Sequence, residues 1–486
     1  MMRRASHRDP LLRQSNGARF SERSGMIPQS VIKELQVPSA APGRVILGLG
    51  QHGESRKTFA AAPMRPVLVI GPQRSRKTTS MVIPTLLEWK GTAVVTSVRT
   101  DVLFGSFERR SSAGRVYVYE PAGRLQREGP VTGWNPLDDC STWDGAMATS
   151  RALTEGGYLS MREGEFWYGM ASQLLTPLLF AAAVNDYSMT DVIRWVKSQE
   201  EFEVRSLLQA ANNAEASQAF EGMVSLENRT LSSIYGTLMS SLAVFDYQSV
   251  ADSTSGGLDI GEFFDGGDNT LYICAPPDEQ RRFAPLFTTL IRRILREAYA
   301  REAAGQPTSP LLLLLDEAGN IAPLRDLATL ATTAAGTGIQ MVTVFHDLSQ
   351  MIAIYGESDA LTIANNHSAL LLLPGNRDPR TSQLLGDLLG GEIIPGLGGG
   401  ASGRYPLRRI EPGQAVCIYE HHSPFLLTLR SSTHDPELQQ LARTQYVQPA
   451  SNVVPLRSTR KLPWHGSPNA QGNAVRASSA EIGDGK

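Results

Sequence analysis

Long apolar runs, cysteines and net charge are all scarce in this 486-residue chain. The longest apolar stretch, LLTPLLFAAAV at 174–184, is shorter than the roughly 18 residues that a membrane-spanning helix needs, and we interpret it as a buried helix. The polar, arginine-rich N-terminus has no apolar signal core. We therefore expect no transmembrane segment in this chain and a location in the cytoplasm.

The few cysteines exclude two further classes of protein. Cys140, Cys274 and Cys417 lie far apart and are odd in number, which is typical of a reducing compartment and not of a disulfide framework. The intervals between these cysteines also match no spacing that is typical of metal ligands. No histidines pair at i, i+4, and no G-x-S-x-G motif occurs, so zinc-protease and serine-hydrolase signatures are absent from the sequence. The doublet of His421 and His422 is interpreted as exposed and not ligating.

The small net charge of −2 conceals an uneven distribution. Residues 1–57 contain ten Lys/Arg against four Asp/Glu, and residues 450–486 contain five against two. The body between them is acidic. Basic ends indicate tails that meet an anionic partner, such as nucleic acid or a membrane surface, or tails that are simply solvated.

The order of strand-like and helix-like segments predicts an α/β fold. Short β-branched runs alternate with helical segments from Arg65 onward, which is typical of a parallel sheet covered by helices. Helical spacing without strand signals fills the middle of the chain. The predicted organisation is a disordered basic segment at 1–42, a first α/β segment at 43–137, an inserted all-helical domain at 138–250, a second α/β segment at 251–449 and a disordered tail at 450–486. The second α/β segment includes a Gly-rich loop at 391–404.

The stretch VLVIGPQRSRKTTSMVIPTLLEW (67–89) indicates a nucleotide site. It matches the phosphate-loop pattern G-x-x-x-x-G-K-[ST] except that Arg76 takes the place of the second glycine. In this interpretation Lys77 meets the β- and γ-phosphates of ATP, and the Thr78 hydroxyl ligates Mg²⁺. Pro84 should bend or split the helix that follows. The predicted nucleotide-binding residues are Gly71, Pro72, Gln73, Arg74, Ser75, Arg76, Lys77, Thr78 and Thr79. The alternative is a basic turn without a ligand.

Two later segments complete a hydrolysis site. The run LLLLLDEAGN (311–320) predicts a strand buried on both faces, with Asp316 at its carboxyl end to hold Mg²⁺ and Glu317 to polarise the attacking water. The strand MVTVF ends at His346, which we predict to contact the γ-phosphate. The predicted catalytic residues are therefore Lys77, Glu317 and His346, and the predicted metal ligands are Thr78 and Asp316. A buried strand with a solvated acidic end and a structural histidine are the simpler alternatives.

These motifs, in this order, resemble the TraG/TraD-type coupling proteins of conjugative type IV secretion. The resemblance rests on GPQRSRKTTSMVIPTLLEW, VVTSVRTDVL (94–103), WNPLDD (134–139), LLLLLDEAGN and MVTVFHDLSQ, and it extends over roughly residues 43 to 430. It implies a RecA-like ATPase motor with an inserted all-helical domain. It also implies a hexamer, single-stranded DNA and a relaxase as substrate, and contact with the secretion channel and membrane components. Arginine fingers at Arg377 or Arg380, and DNA contacts at Arg281, Arg282, Arg408 or Arg409, are hypotheses within that resemblance.

The sequence departs from the family pattern at three points. Arg76 replaces the loop glycine, and His346 stands where many members have glutamine. The N-terminal membrane helices of the family are not present in this sequence, so we expect a partner to attach the chain to the membrane, or the chain to act in the cytoplasm. A catalytically reduced paralogue that recruits substrate or occupies a mixed ring is the alternative function. A small-molecule kinase would leave the long insertion unexplained.

Overall fold

The computed structural model describes most of the chain between residues 27 and 443. The described ranges are 27–38, 43–52, 55–98, 100–125, 131–155, 164–306, 309–389, 407 and 410–443. The predicted disorder of residues 1–26 and of the tail at 450–486 lies outside these ranges. The Gly-rich loop at 391–404 and the candidate DNA contacts Arg408 and Arg409 also lie outside them.

Twelve strands within the described ranges form one sheet. They are β1 Gln36–Val37, β2 Ile46–His52, β3 Ser55–Ala60, β4 Val67–Ile70, β5 Thr92–Ser97, β6 Val116–Tyr119, β7 Thr270–Cys274, β8 Leu311–Leu315, β9 Ile339–Phe345, β10 Ala369–Leu372, β11 Gln414–Tyr419 and β12 Phe425–Thr428. Their order is β1-β3-β2-β12-β11-β10-β4-β9-β8-β5-β7-β6. The seven strands from β10 to β6 run parallel, as the sequence predicts.

Helices cover both faces of this parallel part. They are α1 Gln29–Leu35, α2 Ile83–Glu88, α3 Thr100–Ala113, α4 Trp143–Glu155, α5 Glu165–Val184, α6 Met189–Ser198, α7 Phe202–Ala210, α8 Ala214–Val224, α9 Asn228–Ser241, α10 Gln248–Ser253, α11 Ile260–Asp265, α12 Gln280–Ala303, α13 Ala318–Ile321, α14 Leu327–Thr333, α15 Leu348–Tyr355, α16 Glu357–Asn366, α17 Pro379–Leu389 and α18 Pro436–Ala442. Between β6 and β7, the described part of 138–250 holds helices and no strand, so an all-helical insertion interrupts the sheet.

The five-leucine strand β8 shows how the core is built. Every residue of β8 is buried. Leu312 and Leu314 join the core layer on one face of the sheet, whereas Leu311, Leu313 and Leu315 join the layer on the other. Successive side chains of a strand point to opposite faces, so an uninterrupted apolar run fits only a strand that is covered on both sides. The predicted doubly buried strand is confirmed.

The apolar helix predicted near residue 180 is α5, which is longer than the apolar run itself. By length and composition alone it is long enough to cross a membrane, and it is the one such helix in the described ranges. However, 56% of its apolar window is buried, and it packs against α4, α8 and α9. Burial against these neighbours explains its composition, because the central helix of a helical domain is apolar nearly all round.

Two parts of the fold differ from the sequence prediction. The predicted disorder of residues 1–42 is wrong for 27–38, where α1 buries Val31 and Leu35, and Ile27 is buried just before it. The sheet is also not purely parallel, because β11 and β12 continue it antiparallel beyond β10, and β1–β3 extend that side. β11 covers the flank of β10, which would otherwise be an unpaired edge of the parallel sheet, and the other added strands extend the sheet beyond β11.

A buried arginine ties the end of the described chain to the helix behind the phosphate loop. The Arg430 side chain is 7% exposed and forms ion pairs with Glu88 at the end of α2, with Asp435 and with Glu437. Next to it, the Ser432 N–H donates to the Thr79 carbonyl at 2.8 Å. The segment before α18 is therefore fixed directly on the nucleotide-binding region.

Candidate nucleotide site

The phosphate loop, residues 71–79, connects β4 to the helix behind it. β4 is buried throughout and ends at Ile70. The helix begins with a π-helical turn, Thr78–Val82, and continues as α2 with Pro84 at its start. Proline lacks an N–H and is tolerated in the first turn of a helix, so the predicted interruption takes the form of this change of helix type. All nine predicted nucleotide-binding residues lie in this one strand–loop–helix unit.

The backbone of the loop has glycine-like conformations at two arginines. Arg74 has φ +64° and Arg76 has φ +69°, both in the left-handed region. A left-handed conformation costs a non-glycine residue on the order of 1–2 kcal/mol. The position of the missing glycine thus keeps the conformation that favours glycine. Gly71 is required for a different reason, because a Cβ there would lie 2.6 Å from the Ser75 hydroxyl and 2.8 Å from the Leu373 Cβ.

Lys77 lies inside the loop and not in solvent. Its side-chain amine donates to the carbonyl oxygens of Gly71 at 2.7 Å and Pro72 at 3.2 Å, and it lies 3.0 Å from Nδ1 of His346. Lys77 is 7% exposed. Burial lowers the pKa of Lys77, and the carboxylates of Glu317 and Asp316 oppose that effect. A cation held at the centre of the loop is placed to meet phosphate oxygens.

Thr78 and Asp316, which are 238 positions apart in the sequence, meet beside this lysine. The Thr78 hydroxyl donates to Oδ2 of Asp316 at 3.3 Å, and the Thr96 hydroxyl of β5 donates to the Asp316 carbonyl at 2.8 Å. Oδ1 of Asp316 is buried and has no hydrogen-bond partner among the described residues. Burial, and then the neighbouring Glu317 carboxylate, raise the pKa of Asp316 to about 7, although Lys77 acts in the opposite direction.

This pair fits a magnesium ion. Mg²⁺ prefers hard oxygen ligands and is usually held by one or two protein oxygens together with waters and substrate phosphates. A hydroxyl and a carboxylate in contact, with one carboxylate oxygen unsatisfied, supply that ligand set. A cation would also favour the ionised form of Asp316, which burial disfavours.

Glu317 and His346 form the second half of the site. Nε2 of His346 lies 2.8 Å from Oε2 of Glu317, and the Asn320 amide donates to the same oxygen at 3.4 Å. Burial alone would raise the pKa of Glu317, but the hydrogen bond from His346 and the positive charges nearby lower it. Glu317 has φ +55°, a left-handed conformation at the turn between β8 and α13. Such strained residues concentrate at functional sites.

His346 connects the lysine to the glutamate. The Lys77 ammonium has only donors, so Nδ1 of His346 accepts and Nε2–H donates to the Glu317 carboxylate. The backbone of His346 is also held, because its N–H donates to Oε1 of Gln350 at 2.9 Å and the Asn376 amide donates to its carbonyl at 3.4 Å. The three predicted catalytic residues are therefore joined in one chain of hydrogen bonds.

A cavity of about 810 Å³ opens beside the loop. It is lined by residues 72–76, Asp347, residues 374–378, Ile410 and residues 412–413. The exposed Arg76 side chain lies against Gly413, with Nη1 3.9 Å from the position that a Cβ would take there. The two candidate arginine fingers differ, since Arg380 is paired with Glu357 at 3.2 Å, whereas Arg377 lines the cavity of its own chain.

Several residues of the site were not predicted from the sequence. Thr96 lies inside a buried strand, Asn320 follows the predicted acidic pair, and Asn376 follows the end of β10. A polar residue just beyond a buried strand is the signal that could have identified Asn376, as it identified His346.

Outside the nucleotide site, the histidine doublet at 421–422 differs in part from the prediction that both residues are exposed. His421 is exposed, but His422 is buried.

The chain is similar to proteins of conjugative DNA transfer. A family model described as "Type IV secretory system Conjugative DNA transfer" matches residues 13–393. The chain is 24% identical over 325 residues to a "Probable conjugal transfer protein TraG" of Sinorhizobium fredii, covering 64% of this chain and 50% of the relative. It is 26% identical over 339 residues to the "Conjugal transfer protein TraG" of Agrobacterium fabrum, covering 65% and 50%. The chain thus spans about half the length of these curated relatives.

Solved structures show the same fold. The "Plasmid coupling protein TrwB in complex with ADP and Mg2+" aligns with a TM-score of 0.62 at 16% identity, covering 84% of this chain and 94% of that one. TrwB with the ATP analogue ADPNP aligns equally well, with a TM-score of 0.62 at 15% identity, covering 84% and 93%. The fold is that of a RecA-like P-loop NTPase. Because the family model matches far more than half of the sequence, the chain belongs to the type IV secretory system family of conjugative DNA transfer proteins.

Proposed function

We propose that this chain is the ATP-hydrolysing motor of a conjugative coupling protein. It binds Mg²⁺–ATP at the phosphate loop and uses hydrolysis to drive single-stranded DNA, or a relaxase–DNA substrate, toward a type IV secretion channel. The observation that carries the proposal is the contact of Thr78 with Asp316 at 3.3 Å beside an unsatisfied Asp316 oxygen. Family membership supports the DNA-transfer part of the proposal.

Each residue of the nucleotide site has a separate role in the proposed hydrolysis. Backbone N–H groups of the phosphate loop and the Lys77 amine bind the β- and γ-phosphates. Thr78 and Asp316 hold Mg²⁺, which neutralises charge on the phosphate oxygens. Glu317 is the carboxylate that orients and deprotonates the attacking water. Its pKa is lowered by His346, so it is ionised and able to accept a proton at neutral pH.

His346 makes the water-activating residue responsive to phosphate. To reach the phosphates, the Lys77 amine must leave the carbonyl oxygens of Gly71 and Pro72. That movement also withdraws the donor to Nδ1 of His346, so the hydrogen bond that the ring makes to Glu317 changes with it. His346 thereby senses the γ-phosphate, and its imidazole fills the role for which many relatives use glutamine.

Binding and turnover are tested on the purified chain with labelled ATP and Mg²⁺. Lys77→Ala removes the central cation of the loop and is expected to abolish binding. Glu317→Gln keeps the shape of the site and is expected to bind ATP while losing turnover. Lys90→Ala, on the exposed residue beyond α2, is the matched control and is expected to behave as the unmodified chain. Binding that survives Lys77→Ala, or that needs no Mg²⁺, would contradict the proposal.

The proposed assembly is a hexameric ring on the cytoplasmic side of a membrane, attached through partner proteins of the secretion system. An arginine supplied by a neighbouring subunit would raise turnover, because such fingers stabilise transition-state charge. Arg377 and Arg380 are the two candidates: Arg377 lines the cavity of its own chain, and Arg380 forms an exposed ion pair with Glu357. DNA contacts come from local basic groups and not from net charge, and Arg281 and Arg282 are exposed at the start of α12. Addition of single-stranded DNA is expected to stimulate ATP turnover.

The alternative is a catalytically reduced paralogue that recruits substrate or occupies a place in a mixed ring. The conformation of Arg76 favours it, because a side chain stands at φ +69° where the family pattern has glycine. ATP binding without turnover in the assembled, DNA-stimulated state would support this alternative over the motor.

A further inference from the structure

Helix α1 and the turn after β11 bring together two histidines and a glutamate. Glu34 lies in α1, and His421 and His422 follow the end of β11. One ligand atom from each of the three residues lies within 4.8 Å of the other two. Glu34 lies 388 positions before His422 in the sequence, so only the fold brings it to the two histidines.

His422 has the fixed orientation that a metal ligand needs. Its side chain is 3% exposed, and its Nε2 lies 2.9 Å from Oε2 of Glu34. Its Nδ1 lies 3.1 Å from the Ser30 hydroxyl, one turn earlier in α1. The ring also stacks on His421, with centroids 4.3 Å apart. A histidine whose second nitrogen donates to a neighbouring oxygen presents the other nitrogen to a metal, which is the usual arrangement around protein-bound metals.

We propose that Glu34, His421 and His422 bind one Zn²⁺ ion. Two imidazole nitrogens and one carboxylate oxygen are the ligand types that zinc takes, whereas Mg²⁺ and Ca²⁺ take oxygen ligands. Three protein ligands leave the fourth tetrahedral position to water. Glu34 and His421 are exposed, so water and the ion have access to that position.

The ion would link α1 to the turn after β11. This turn lies at the end of the strands that is opposite the phosphate loop. Tyr419, the last residue of β11, pairs with Ala369, the first residue of β10, and Ala369 pairs with Val67, the first residue of β4. The phosphate loop follows the other end of β4. The zinc site is therefore separate from the nucleotide site and independent of the proposed ATPase function.

The test uses the full chain without an affinity tag, freed of metal with EDTA and kept in excess Mg²⁺. Zn²⁺ is titrated by calorimetry and Co²⁺ by visible absorption, which reports a tetrahedral site. One equivalent of each ion is expected to bind. His421→Ala and Glu34→Gln change exposed side chains and are expected to lose this binding. Ser30→Ala is expected to weaken it roughly tenfold, because it removes only the partner that orients His422.

His434→Ala is the matched control, since His434 is also an exposed histidine outside the cluster. It is expected to bind Zn²⁺ and Co²⁺ as tightly as the unmodified chain. Zinc is also expected to raise the unfolding temperature of the unmodified chain and of His434→Ala, but not that of His421→Ala. The absence of one-to-one binding, or binding that persists in both His421→Ala and Glu34→Gln, would overturn the proposal.

Discussion

Replacing Arg76 by glycine tests whether the strained conformation of the phosphate loop affects the stability of the fold or the affinity for ATP. Arg76 has φ +69°, and this conformation costs a residue with a Cβ about 1–2 kcal/mol. Glycine adopts it freely but loses about 0.5–1 kcal/mol more conformational entropy on folding than other residues do. The free energy of unfolding of Arg76→Gly should therefore rise by about 0 to 1.5 kcal/mol, the difference between these two effects.

The affinity for ATP should respond differently. The strain at Arg76 belongs to the folded loop, so it is present both before and after ATP binds if the loop keeps this conformation. Strain that is equal in both states cancels in the binding free energy. The Arg76 side chain is exposed and lies against Gly413. We therefore expect the Kd for Mg²⁺–ATP to change by less than about tenfold, or 1.4 kcal/mol.

The assay compares Arg76→Gly with Arg74→Gly, the second exposed arginine of the loop with a positive φ. Urea unfolding gives the change in stability, and titration with labelled ATP gives the Kd. Both variants should be stabilised to a similar extent. Tighter ATP binding by tenfold or more in Arg76→Gly alone would refute this reasoning. It would show that Arg76 obstructs the nucleotide, and the reduced-paralogue function would then be preferred.

Two further predictions concern buried charges. Asp316→Asn removes a carboxylate whose pKa, about 7, lies above its unfolded value of 3.8. The fold therefore disfavours the ionised form, and the free energy of unfolding of the unmodified chain should fall as pH rises from 3.8 to about 7. At pH 8 without Mg²⁺, the Asn variant should be more stable by up to ~4 kcal/mol while losing Mg²⁺-dependent ATP binding, and lower stability in urea unfolding would contradict this. Arg430→Met leaves the Glu88 carboxylate buried without its partner and should cost about 3–5 kcal/mol in urea unfolding. Arg443→Met, on an exposed arginine, is its control and should cost almost nothing, and an equal loss in both variants would contradict the assignment.

The predictable parts of the fold are those that a pattern of neighbouring residues determines. The run Leu311–Leu315 predicts a doubly buried strand because no polar residue interrupts it, and the structure has that strand. Asp316 and His346 were identified because each follows directly on a buried strand. The phosphate-loop pattern identified Arg76 as the residue that replaces a glycine, and the structure gives it a positive φ.

The parts that were missed depend on contacts between distant segments. Nothing near Ile27 or Val31 shows that α1 will pack, because its neighbours β1 and β3 join the sheet only through β2, which pairs with the distant β12, and Glu34 contacts the equally distant His422. The antiparallel strands β11 and β12 are short, and their pairing is set by the free flank of β10. The contact of Lys77 with His346 depends on strand order, which the sequence does not specify.

The order of the strands lets a single side chain contact both halves of the nucleotide site. β9 lies between β4, which carries the phosphate loop, and β8, which carries the acidic pair. Neighbouring strands are about 4.8 Å apart, so the outer two are separated by roughly twice that distance. A residue at the tip of β9 stands midway, and the two imidazole nitrogens, separated by one ring carbon, direct their hydrogen bonds well away from each other. His346 is thus a spacer of the right width, with one nitrogen for each neighbour. The distance between the nucleotide-holding strand and the water-activating strand is bridged by one ring, and a shorter side chain at this position would disconnect them.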